Sequence, residues 1–79
     1  MTDGATLGQL VLSKLGRVIG HERSEQELAL VLAQLQLASI DSVDDLERVA
    51  EALQRRPGFV ATVGAMLSVD VAMRRLRAS

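Results

Sequence analysis

The histidine and cysteine side chains that bind zinc or supply a reactive sulfur are almost absent from this sequence. His21 is the single histidine, and the chain has no cysteine. A zinc site needs three or four ligands, mostly nitrogen or sulfur, and the neighbouring Glu22 offers only a carboxylate. The composition therefore predicts no metal site, no disulfide and no thiolate nucleophile, and it indicates that His21 is a solvated residue of a link between helices.

Carboxylates occur close together at two places, Asp44 with Asp45 and Glu47 with Glu51. Acid–base catalysis requires one member of such a pair to have its pKa shifted by burial or by its neighbour. Acids at the start of an amphipathic helix normally face water. The chain also lacks a glycine-rich phosphate loop and a dinucleotide fingerprint. We therefore predict no catalytic residue and no cofactor, and we expect that the protein is not an enzyme.

Ser42 has two interpretations. The sequence Ile-Asp-Ser-Val at residues 40–43 precedes an amphipathic, acid-rich segment. It resembles the Asp-Ser-Leu site of acyl and peptidyl carrier proteins, which implies phosphopantetheine on Ser42. The other interpretation is that Ser42 is the N-cap of a helix, since Ser-Val-Asp-Asp is a capping signature. We favour the N-cap and keep the carrier protein as an alternative.

Charge is separated along the second half of the chain. Residues 41–51 contain five acids and one arginine, whereas residues 73–79 contain three arginines and no acid. An acidic and a basic surface can pair between copies of a chain, although charges that complement the helix dipoles explain the same pattern. The candidate interaction residues are Asp44, Asp45, Glu47, Glu51, Arg74, Arg75 and Arg77.

A second alternative is a small helix-turn-helix DNA-binding protein, with arginines on phosphates and the helix from Val43 in the major groove. That helix begins with acids, which DNA would repel, and the net charge of the chain is −1. We therefore expect no nucleic-acid partner.

The apolar spacing predicts helices at about 6–19, 25–38, 43–55, 58–67 and 69–77. Predicted boundaries are an N-cap at Thr6, a stop at Gly20, a capping box from Ser24 to Glu27, a helix start at Pro57 and a cap at Ser68. One continuous helix from residue 58 to residue 76 fits the last segment almost as well. Gly16, inside the first helix, indicates either close approach of a neighbouring helix or a kink.

The stretch from Leu28 to Leu37 is apolar on nearly all sides of a helix. Such a helix needs neighbours around it. The 79 residues, 48% of them hydrophobic, make one domain. We therefore predict an all-α fold, a compact four- to five-helix bundle around a central hydrophobic helix at 25–38. No apolar run is long enough to span a membrane and no signal peptide is apparent, so we expect a cytoplasmic protein with no membrane partner.

The stretch from Ser42 to Leu53, followed by Gly58-Phe59-Val60, resembles the death-fold superfamily, and most nearly its bacterial CARD-like and death-like effector-associated modules. The resemblance implies homotypic assembly that recruits or activates an effector, often in antiviral (antiphage) defence. We therefore expect a non-enzymatic protein–protein interaction or adaptor module whose partner is itself or a related helical domain.

Overall fold

The chain forms four α-helices in a computed structural model that describes residues 3–78, with side chains described from Leu7 onward. They are α1 (Asp3–Ile19), α2 (His21–Leu35), α3 (Val43–Gln54) and α4 (Phe59–Ala78). No strand occurs in the described part of the chain. The all-α prediction is confirmed.

One apolar core joins the helices. Its α1 side is Leu7, Val11 and Leu15, which recur every four residues and are at most 5% exposed. α2 adds Leu28 and Val31 to this core, and the fully buried apolar side chains of α3 and α4 are Leu46, Val49, Ala50, Leu53, Val63 and Leu67. A face of this kind is what the three- and four-residue apolar spacing of each helix produces.

The prediction of a central helix at 25–38 is wrong. The helix runs from residue 21 to residue 35, and only Leu28 and Val31 of its apolar side chains are buried. Leu30 is 41% exposed, and Ala29 and Ala33 face water. The reason is that α2 packs against α1 and, less extensively, against α3, which leaves its outer side uncovered. Of α2, α3 and α4, the helix with the largest share of buried residues is α3.

The predicted capping box at Ser24 is also wrong. α2 begins at His21, directly after Gly20, so Ser24 lies inside the helix. Its side chain is fully buried, and its hydroxyl donates to the Gly20 carbonyl one turn earlier. A serine inside a helix can satisfy its hydroxyl in this way. Gly20 has φ +86, which favours glycine, and it ends α1 as predicted.

Gly16 marks a contact rather than a kink. α1 is continuous through it, and a Cβ built there would lie 3.8 Å from the Ser24 hydroxyl oxygen. The small glycine and the small serine therefore let α1 and α2 approach each other near their junction.

Three further predicted boundaries are wrong, one in α1 and two in α4. α1 begins at Asp3, so Thr6 is inside the helix rather than its N-cap. α4 begins at Phe59, after Pro57 and after Gly58 with its φ of +72. Ser68 lies in the middle of α4 and caps nothing. The alternative of one continuous last helix is confirmed, and the fifth helix does not form.

The segment between α2 and α3 is anchored in two ways. Gln36 has left-handed backbone torsions at the end of α2, and the N–H groups of Gln36 and Leu37 donate to the carbonyls of Ala33 and Leu32. These two bonds form a Schellman motif. Ile40 then inserts into the core and is 2% exposed. The segment is therefore held at both its start and its end.

α3 and α4 pack antiparallel and closely. A Cβ added to Gly64 would lie 2.6 Å from the backbone nitrogen of Gln54 and 2.8 Å from the backbone oxygen of Ala50. The Gln54 side-chain amide donates to the Ser68 hydroxyl at 2.6 Å. Glycine at position 64 is therefore what allows the two backbones to come together.

Candidate interaction surface

The acidic segment and the basic segment meet within one chain. Because α3 and α4 are antiparallel, the first turn of α3 lies beside the last turns of α4. One terminal nitrogen of Arg75 is 2.8 Å from Asp44 Oδ1 and 2.9 Å from Glu47 Oε1. The structure thus brings together three of the seven candidate interaction residues, across the contact between α3 and α4.

Asp45 belongs to the cap of α3. Its backbone N–H donates to Ser42 Oγ at 3.2 Å, and its carboxylate accepts from the Asp41 N–H at 3.1 Å. Asp41 also accepts a hydrogen bond from the Ser39 hydroxyl at 2.7 Å. The N-cap predicted at Ser42 is confirmed. Carboxylates at this end of a helix also interact favourably with its dipole.

The remaining three candidates lie apart from that cluster. The Arg74 Nε is 3.8 Å from Asp70 Oδ1, which is too far for a hydrogen bond, and this buried nitrogen has no hydrogen-bond partner. Glu51 is exposed on α3, and Arg77 is exposed near the end of α4. The structure does not bring Glu51 and Arg77 together with the Arg75 cluster.

His21 lies beside an open groove between α1 and α2. Its Nε2 contacts the Glu25 carboxylate one turn later, and both side chains are largely in water. Leu12, Leu28 and Leu32 form the apolar part of the groove. Residues 3–78 contain no group of three or more histidine, aspartate and glutamate side chains that could hold a metal ion.

A partly buried ion pair that the sequence did not indicate links α2 to α3. The Arg56 Nε and one of its terminal nitrogens donate to the two carboxylate oxygens of Glu27, at 2.9 and 3.0 Å. These hydrogen bonds, and then the attraction between the charges, raise the pKa of Arg56 above its ordinary value. Such two-point contacts have fixed geometry. Glu27 therefore orients α2 on α3 instead of closing a capping box.

An uncovered apolar surface lies on the outer face of α4. We call it the outer α4 stripe, and its five large side chains are between 47% and 72% exposed. They are Phe59, Met66, Val69, Met73 and Leu76. The sequence prediction had placed all five on the apolar faces of two separate helices. In the continuous helix they lie opposite a second apolar series, Val60, Val63, Leu67 and Val71, which is buried.

Charged side chains border one edge of this stripe. Lys14 of α1, Asp70 and Arg77 line a shallow groove together with Met66, Val69 and Met73. The N-terminal half of α4 is different, because no residue from Phe59 to Ser68 is charged. The stripe is therefore an apolar surface with charged side chains along part of one edge, from Met66 onward.

Two further observations bear on the kinds of site the chain contains. Among residues 3–78, no helix has the length and apolar character needed to cross a membrane. Comparison with protein-family models, with characterised proteins and with solved structures gave no match.

Proposed function

We propose that the protein is a non-enzymatic interaction module that binds a partner helix along the outer α4 stripe. The observation that carries the proposal is the exposure of five large apolar side chains on one face of one helix. Scattered exposed apolar residues are ordinary on protein surfaces, whereas a contiguous apolar surface with a polar edge is typical of a binding site.

Most of the charged candidate residues make contacts within a single molecule. Asp44, Glu47 and Arg75 contact one another inside the chain, and Asp45 belongs to the α3 cap. Their positions are thus accounted for by the fold of a single molecule. The five side chains of the outer α4 stripe are instead at least 47% exposed, and this difference favours the stripe as the binding surface.

The biological setting is also a proposal. The resemblance of residues 42–53 and 58–60 to bacterial death-fold modules supports an adaptor that assembles with like domains and recruits an effector in defence signalling. The all-helical fold is consistent with such a module. The expected cytoplasmic location belongs to the same proposal.

Site-specific photo-crosslinking tests the proposed binding surface. A photoreactive residue is placed at Val69 on the stripe, at Gln26 on exposed α2 as a control, and at Glu51 on the acidic face as the rival position. We expect a discrete covalent adduct from position 69 in cells that naturally contain the protein. The adduct should disappear when Met73→Glu is added.

The pattern of adducts decides the outcome. No adduct from position 69, or equal adducts from positions 69 and 26, contradicts the proposal. An adduct from position 51 alone would move the interface to the acidic residues of α3.

A further inference from the structure

We infer that the partner of the outer α4 stripe is a second copy of this chain, bound with its α4 antiparallel to the first. This inference rests on the proposed function, because it names the occupant of the same surface. The two α4 helices form a twofold-symmetric pair in a defined register.

The spacing of the stripe favours a partner helix with the same spacing. Phe59, Met66 and Met73 recur every seven residues, and Thr62, Val69 and Leu76 recur every seven residues three positions later. This is the a and d pattern of a coiled-coil seam, which packs against a helix with the same period. The partner therefore needs a helix patterned like α4, and α4 itself meets that requirement.

An antiparallel pair of α4 helices has a register that pairs every position of the seam. When the twofold axis passes between the levels of Leu67 and Ser68, each a position faces a d position of the second copy. Phe59 then lies opposite Leu76, Met66 opposite Val69, and Thr62 opposite Met73. All six seam positions are used, and no charged residue falls in the seam. The Thr62 hydroxyl can donate to a carbonyl of its own helix one turn earlier.

The distribution of charge along α4 favours an antiparallel pair over a parallel one. Arg77 borders the stripe at the basic end of α4, so a parallel pair would place it beside Arg77 of the other copy, and like charges at an interface are unfavourable. The antiparallel pair instead places this basic end beside the first half of the other α4, which has no charged residue from Phe59 to Ser68. The two helix dipoles are then opposed as well, which is favourable.

The area that the helix pair covers is compatible with a weak, specific dimer. α4 contains 20 residues, so its face is about 30 Å long. If each large side chain presents about 100 Å² to water, which is roughly half of what such a side chain buries, the pair covers about 1,000 Å² in total. That is near the lower limit for a specific interface. We therefore expect a reversible dimer with a Kd on the order of 1–100 μM.

Sedimentation equilibrium over a wide range of protein concentrations tests the dimer. The mass of the wild type should rise from one chain towards two, whereas Val69→Glu should stay monomeric with unchanged helix content. Leu30→Glu is the matched control, since Leu30 is an exposed leucine on α2, and it should dimerise like the wild type. Leu76→Glu replaces Val69→Glu if the latter does not fold. A wild type that is monomeric throughout, or a stripe variant that dimerises normally, overturns the inference.

Disulfide trapping tests the register, and the absence of native cysteine makes the result unambiguous. Phe59→Cys and Leu76→Cys proteins are mixed and oxidised. The antiparallel register predicts a mixed disulfide between the two variants, formed faster than the Phe59→Cys homodimer. A parallel pair would give the opposite order and would overturn the inferred arrangement.

The crosslinking experiment separates this inference from the proposed function. A photo-adduct from Val69 with twice the mass of the chain that carries the photoreactive residue supports both. An adduct of another mass, together with a monomeric wild type, leaves the interaction module standing and overturns the self-association. The absence of any adduct, with a monomeric wild type, overturns both.

Discussion

At the scale of single residues, the closest backbone approach in the bundle depends on the absence of one side chain. Gly64 lies where α4 crosses Ala50 and Gln54 of α3, and the neighbouring atoms there belong mainly to the backbone of α3. A flexible side chain could move away from an added methyl group, but the backbone of a buried helix cannot do so without separating the two helices. The glycine therefore contributes more to stability than its low helix propensity costs.

We expect Gly64→Ala to lower the free energy of unfolding by about 3 kcal/mol, the upper part of the range for overpacking. The matched control is Gly8→Ala in α1, where an added Cβ meets nothing within 4 Å. There the better helix propensity of alanine should raise the free energy of unfolding by about 1 kcal/mol. Urea unfolding followed by circular dichroism measures both. Equal effects of the two substitutions would contradict the close packing at Gly64.

Ser24 and Glu27 show how far single residues can be interpreted from sequence. Serine followed three residues later by glutamate matches a capping box, but the same pair fits a buried serine and an interhelical ion pair equally well. What decides between them is Arg56, which is 29 positions away from Glu27. Ser42 was predicted correctly because its partner, the Asp45 N–H, is local.

At the scale of elements, the end of α2 uses a residue that is not ideal for its conformation. Gln36 is the one residue other than glycine with a positive φ in the described part of the chain. A residue with a Cβ pays a steric cost there that glycine does not pay. The Schellman hydrogen bonds and the contact of Leu37 with the core hold it in place.

We expect Gln36→Gly to raise the free energy of unfolding by about 1 kcal/mol, because it removes this cost. Gln34→Gly, two residues earlier and inside α2, should lower it by about 1 kcal/mol through lost helix propensity. Thermal unfolding by circular dichroism distinguishes the two signs. If both glycines destabilise the protein, the left-handed end of α2 is wrong.

The helices themselves were largely predictable, and their boundaries less so. α3 was predicted within one residue at each end, since its cap and its apolar stripe are both local features. The start of α2 was missed by four residues because Gly20 alone separates two helices, and no polar loop marks the change. The continuity of α4 was left open by the sequence, because Ser68 fits a cap and a helix interior equally well.

At the scale of the whole molecule, the pattern of apolar residues did not reveal which helix is central. α2 has the densest apolar run, yet α3, with a narrower stripe, has the larger share of buried residues. Position in the bundle depends on how extensively a helix packs on its neighbours. α3 packs extensively on α4 and also contacts α2, whereas α2 packs less extensively on α1 and also contacts α3. Likewise, the sequence does not show which of the two apolar faces of α4 is buried, because that depends on the helices that pack against it.

A pair of leucine truncations tests this arrangement at the level of stability. Leu46→Ala in α3 removes a side chain that is fully buried and should cost about 3 kcal/mol, because it leaves a cavity. Leu30→Ala in α2 removes one that is 41% exposed and should cost about 1 kcal/mol or less. A bundle organised around α2 would predict similar losses, so equal shifts of the urea midpoint contradict the arrangement. If Leu46→Ala does not fold, hydrogen exchange of the wild type gives the same comparison: the slowest amides should lie in α3 and not in α2, since the best-covered helix opens only with the whole molecule.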